Sequence, residues 1–108
     1  EPDEDDEKLS DGSNLAVVRD LYERAIAQVP PAPEKRLWRR YIYLWLWYSG
    51  FEETVAGNSD RAVAILKACL GIIPHRQFTF AKVWRSLAHL HLRRHDLAAA
   101  RKCYGQAL

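Results

Sequence analysis

Apolar residues along this chain recur at the three- and four-residue spacing of helices, and no segment keeps the alternation of a half-buried strand. Five helices are predicted. The first covers about 14–29, with Ser13 or Asn14 as its N-cap, and ends at Pro30-Pro31, whose rings cannot continue it. A second starts near Pro33-Glu34, with proline at a first helical position, and runs to about Val55. After the connector Ala56-Gly57-Asn58-Ser59, Ser59 or Asp60 is expected to cap a third helix that Pro74 stops after Ile73. Thr79 caps the fourth, reaching about Arg94, and Asp96 caps the fifth, which runs to the chain end.

The second helix carries the densest pattern. Trp38, Tyr41, Trp45, Tyr48 and Glu52 fall on one stripe, while Leu37, Tyr43, Leu44, Leu46, Trp47 and Phe51 occupy most of the remaining circumference. A helix apolar on nearly every side is expected to be enclosed on nearly every side.

These helices are written in two recurring words. Val18–Ile26, Ala62–Leu70 and Ala100–Leu108 share one frame, making Ile26, Leu70 and Leu108 equivalent at spacings of 44 and 38 residues. Pro30 and Pro74 each follow four residues after such an equivalent position. Between the copies stand Trp38-Arg39-Arg40-Tyr41 and Trp84-Arg85-Ser86-Leu87, 46 residues apart. Two alternating helical words at a period near 40 predict an all-α solenoid of antiparallel hairpins, because a single hairpin cannot bury its apolar face without neighbours. Residues 14–108 are then about two and a half repeats, beginning on a second-word helix, so both ends should show apolar faces.

Charge changes this picture at one end. Of 16 basic and 14 acidic residues, seven acids and one lysine fall within residues 1–14, which leaves the remaining 94 residues at +8. The acidic stretch 1–13 cannot bury enough surface to order itself and is expected to be mostly disordered. No apolar run is long enough for a membrane span, and the chain shows no secretory-signal pattern. Cys69 and Cys103 lack metal-ligand spacing and read as small buried thiols.

The words Arg-x-x-Tyr-Glu-Arg-Ala-Ile followed by proline, and Trp-x-x-Tyr followed by an aromatic-rich stretch ending in Phe-Glu-Glu, resemble half-a-TPR (HAT) repeats of RNA-processing proteins. Tyr22-Glu23-Arg24-Ala25-Ile26, Val29-Pro30-Pro31, Glu34-Lys35-Arg36, Trp38, Arg40 through Trp45 and Glu52-Glu53 are similar to crooked-neck splicing factors. Ile73-Pro74-His75, Phe78 through Lys82 and Trp84 extend the likeness, which covers about 18–108. The resemblance implies a nuclear scaffold of the spliceosome's NineTeen-related assembly that contacts other spliceosomal proteins and the flanking repeats of its own array. It implies no catalysis and no cofactor. Three departures stand out: Val63 occupies the place of Arg19 and Arg101, with Arg61 two positions earlier; Leu87 stands where the first word has Tyr41; and His91 stands where an acid is expected. If the family's arginine and acid pair between helices, that link is absent or altered in the middle and last units.

The residues expected to carry the architecture are Tyr22, Trp38, Tyr41, Trp45, Tyr48, Trp84, Tyr104, Pro30 and Pro74. Partner contact is assigned to two basic clusters, Lys35, Arg36, Arg39 and Arg40, and Arg93, Arg94, Arg101 and Lys102. The alternative function is direct binding of RNA by those clusters, weighed against an apparent commitment of the aromatics to the core. His91 and His95, four residues apart, were they on one helical face, would meet a metal, with His75 and His89 nearby. No His-Glu-x-x-His, phosphate-loop or nucleophile-elbow motif accompanies them.

Overall fold

A computed structural model describes residues 12–77 and 80–107. It contains five helices, α1 (Gly12–Ile26), α2 (Lys35–Thr54), α3 (Ser59–Ile72), α4 (Ala81–Arg93) and α5 (Leu97–Ala107), with no strand among the described residues. Each helix packs on the next in sequence, and α2 also touches α4. This is the alternating stack predicted from the two words, with α2 and α4 as the first helices of successive hairpins. Gly12 and Ser13 already belong to α1; residues 1–11 of the acidic stretch lie outside the described residues, as does Thr79.

The ends of the helices are set by identifiable side chains. Asn58 caps α3, one residue earlier than the expected Ser59 or Asp60, by accepting from the Arg61 amide at 3.0 Å. Asp96 caps α5 as expected, accepting from the Ala99 amide at 3.1 Å. Gly57, with φ 66°, turns the chain out of α2, where Asn58 N–H reaches back to the Glu52 carbonyl at 2.7 Å. His95 does the same job after α4 with φ 62°, and Asp96 N–H returns to the His91 carbonyl at 2.8 Å. A β-carbon costs roughly 1–2 kcal/mol in that left-handed conformation, so the loop here carries strain that glycine would relieve.

The core is built on the inward stripe of α2. Trp38, Tyr41, Ile42, Trp45 and Tyr48 are buried and pack with Ile65, Leu66, Cys69 and Leu70 of α3 and with Val83, Leu87, Ala88 and Leu90 of α4. Two of these aromatics also fasten the preceding turn: Tyr41 donates to the carbonyl of Ile26, the last residue of α1, and Trp38 Nε1 donates to Pro31 at 3.1 Å. An end-of-helix carbonyl and a loop carbonyl are thereby satisfied away from water. Cys69 and Cys103 are free and buried, and burial pushes the Cys69 thiol up to about 12.

Enclosure of α2 is not complete, contrary to the expectation from its apolar circumference. Leu37 is 44% exposed, Tyr43 37% and Trp47 60%, so one long side of the helix faces outward. The inward stripe has α1, α3 and α4 to pack against; among the described residues, the side bearing Leu37 and Trp47 has no such layer over it. Trp84, equivalent to Trp38 by the 46-residue offset, is half-buried, as are Tyr22, Tyr104, Pro30 and Pro74.

Two outcomes are expected in chemical denaturation. Trp38→Ala should cost about 3–5 kcal/mol, the range for removing a large buried aromatic, and a loss below about 1 would show that the indole is not interior. His95→Gly should gain roughly 1 kcal/mol; a loss of stability would mean that the imidazole makes a compensating contact.

Candidate functional site

Two features of α2 stand apart from ordinary core packing: a buried carboxylate that ties three helices together, and an open apolar groove on the opposite edge. Both arise from its residue pattern, since the helix is long enough to place Glu52 at one end of the buried stripe and Leu37 at the start of the exposed one.

Glu52 is fully buried, yet it is ionised because two guanidinium groups reach it from separate helices. Arg19 of α1 donates through Nε at 2.8 Å and through Nη2 at 2.9 Å, one to each carboxylate oxygen. Arg61 of α3 donates through Nε at 2.8 Å. Burial pushes the Glu52 carboxyl up, but the hydrogen bonds from Arg19 and Arg61 outweigh it and hold the pKa below the ordinary value. Arg61 also donates at 2.9 Å to the Tyr48 hydroxyl, which donates in turn to Glu23 of α1 at 2.8 Å. Tyr22 stacks on Tyr48 with ring centroids 4.9 Å apart.

The link expected to be absent or altered in the middle unit is therefore altered. Val63 faces the core, and Arg61, in the first turn of α3, serves the acid from two positions earlier. His91 is buried as well, and burial lowers its pKa. The 46-residue offset pairs it with Trp45 rather than with an acid. His95 lies beyond the end of α4, so these two histidines do not share a helical face. Among the described residues no group of three potential ligands could hold a metal ion.

The groove, about 690 Å³, is lined by Ala25, Gln28 and Pro30 on one wall and by Leu37, Arg40, Tyr41, Tyr43, Leu44 and Trp47 of α2 on the other. Its nature follows from internal symmetry. Adding 46 to Leu37, Arg40, Leu44 and Trp47 gives Val83, Ser86, Leu90 and Arg93. Val83 and Leu90 are buried, and Ser86, Leu90 and Arg93 face Leu46, Ser49, Gly50 and Glu53 of α2. The groove residues thus occupy on α2 the positions by which α4 receives α2. Adding 44 to Leu21, which is 59% exposed on α1, gives Ile65, which is buried in α3. By both offsets, the exposed apolar surface of α1 and α2 corresponds to surface that is buried on α3 and α4.

The two basic clusters differ. Arg93 makes a bidentate pair with Glu53 at 2.6 and 2.8 Å, and Arg94 pairs with Asp60, so these two cations are neutralised within the fold. Arg101 and Lys102 are exposed on α5. Lys35, Arg36, Arg39 and Arg40 are exposed at the start of α2 and make no ion pair among the described residues. No helix is long and apolar enough to cross a membrane, among the described residues.

Removing both arginines from Glu52 should be worse than the separate losses suggest. Arg19→Ala and Arg61→Ala each leave one partner, whereas the double variant strands a buried carboxylate and should cost about 3–5 kcal/mol; strictly additive losses in urea unfolding would contradict the shared site. Because the folded pKa is depressed, this contribution is present above the ordinary carboxylate pKa and is lost as pH falls through the folded one. Glu52→Gln should therefore flatten the acid limb of the stability profile.

No family model matches the chain. The pre-mRNA-splicing factor clf1 of Aspergillus fumigatus is 58% identical over 91 residues, which are 84% of this chain and 14% of that protein. Protein crooked neck of Drosophila melanogaster is 50% identical over 91 residues, 84% of this chain and 13% of the relative. Crooked neck-like protein 1 of Homo sapiens is 47% identical over the same length, 84% of this chain and 11% of the relative. The chain spans between 11% and 14% of the length of these relatives. A stack of five helices written in two repeated words, together with identity of 47–58% over 84% of its length, shows that the chain belongs to the crooked-neck family.

Proposed function

We propose that the chain is an interaction segment of a spliceosomal scaffold that acts in the nucleus, supporting pre-mRNA splicing by holding other proteins in place, as a member of the NineTeen-related assembly. The single observation that carries this reading is the apolar groove on α1 and α2 that no described residue covers. An apolar groove with Trp47 at its edge is a place where a further helix gains affinity by burying aromatic and aliphatic surface. In an array the first claimant is the neighbouring repeat, and the two and a half units of this chain extend a longer ridge of the same kind. The relatives' names, which describe pre-mRNA-splicing factors, supply the process in which such a ridge works.

A scaffold reading also suits the chemistry. The buried side chains of Ser49 and Glu52 fasten α2 to α1 and α3, and the conspicuous free surface is apolar or basic rather than a constellation of nucleophile and base.

Depleting the protein in its own cells should leave introns in messenger RNA, read by sequencing, and the tagged protein should co-purify with spliceosomal proteins from nuclei; undisturbed splicing would overturn the proposal. Trp47→Lys separates docking from folding. Its side chain is mostly exposed, so stability should change by no more than roughly 0.5 kcal/mol, while co-purification should fall. Co-purification at the unaltered level would sink the docking role of the groove.

A further inference from the structure

The outward faces of α2 and α4 carry a second repeated pattern, which meets the groove at Tyr43. Adding 46 to Arg36, Arg39 and Tyr43 gives Lys82, Arg85 and His89. All six are exposed. At 100° per residue the three members on each helix fall within about 60° of one another, on the side opposite the buried tryptophans of α2. Each repeat therefore presents one rung made of two cations and one planar ring.

The two rungs are neighbours in space. Lys82 Nζ donates to the Tyr43 hydroxyl at 3.0 Å and stands 4.5 Å from the centre of its ring. Lys82 and, to a lesser degree, Arg39 hold the Tyr43 phenol below its ordinary pKa, so cations of both rungs converge on one aromatic group. Their charge is not spent elsewhere. Arg19 and Arg61 serve Glu52, Arg24 serves Asp20, Arg93 serves Glu53 and Arg94 serves Asp60. By contrast Arg36, Arg39 and Arg85 make no ion pair among the described residues, and Lys82 has only a neutral phenol.

We propose that this ladder on α2 and α4 binds single-stranded RNA, with the arginines and Lys82 on phosphates and the rings of Tyr43 and His89 against bases. An acidic peptide would use the cations but has no need for a ring in each rung. A single strand supplies both an anion and a flat surface in every residue, and helical repeats that read RNA do so with two or three side chains per repeat. The ladder borders the apolar groove, because Tyr43 also lines it with its ring 6.1 Å from that of Trp47. The four cations of the ladder lie outside the groove lining, so the salt slope and R36E/R39E test RNA binding separately from the docking role of Trp47. It also revises the expectation that the aromatics are all committed to the core: Tyr43 is 37% exposed and placed among cations.

The test is fluorescence anisotropy of a labelled 12-nucleotide oligouridylate titrated with the chain between 50 and 200 mM salt. Four phosphate contacts predict a slope of about −3 in log affinity against log salt. R36E/R39E should weaken binding at least about tenfold and roughly halve that slope, in keeping with the loss of two contacts. Tyr43→Leu should weaken it several-fold with the slope unchanged, a split that a purely electrostatic surface would not give. R101E/K102E, on α5, should bind like the parent. Circular dichroism checks that each variant is folded, and R39Q/R85Q serves as a second, milder pair. Absence of binding at 50 mM salt, equal weakening by R101E/K102E, or displacement of the RNA by polyglutamate at equal charge would each overturn the proposal.

Discussion

One helix with apolar residues around most of its circumference sets the terms for everything else in this chain. The inward stripe of α2 supplies Trp38, Tyr41, Trp45 and Tyr48 to the core, and each large side chain is worth roughly 1.5–3 kcal/mol of buried area. Individual surface ion pairs, at about 0–1 kcal/mol, are minor beside that. A single partner helix cannot cover such a surface. α2 needs α1, α3 and α4, and its remaining side asks for one more.

The polar contacts make sense as a consequence of that packing. Stacking hairpins about α2 brings α1 and α3 to the same end of it, where the Glu52 carboxylate would be intolerable alone. Arg19 and Arg61 arrive from the two flanking helices and neutralise it, so the pair of contacts that makes burial bearable also fixes the register of three helices. Tyr48 and Glu23 extend the same network outward. At the other end Tyr41 and Trp38 hold the turn between α1 and α2 by its carbonyls.

Much of this was legible in the residues, for reasons that also explain the gaps. Helices and their order follow from periodicity, proline positions and Asp96, all of which act locally. Arg61 was not legible as the partner of Glu52, because a frame comparison looks at Val63, whereas the guanidinium has enough reach to serve the carboxylate from two positions earlier. His95 reads as a helical residue four after His91, yet the reversal of the chain after Arg93 puts it in the left-handed region. Periodicity likewise shows that Leu37, Leu44 and Trp47 are apolar without showing what lies over them. Only the 46-residue offset, applied to burial, shows that their equivalents Val83 and Leu90 are covered on α4.

The account is tested most directly by hydroxyl-radical footprinting of Leu37, Tyr43 and Trp47 in the isolated chain and in the particle that co-purifies with it. Leu37 and Trp47 should be modified readily in the chain alone and protected in the particle, with buried Trp38 protected in both. Equal modification of Trp47 in the two states would contradict the claim that α2 receives another helix.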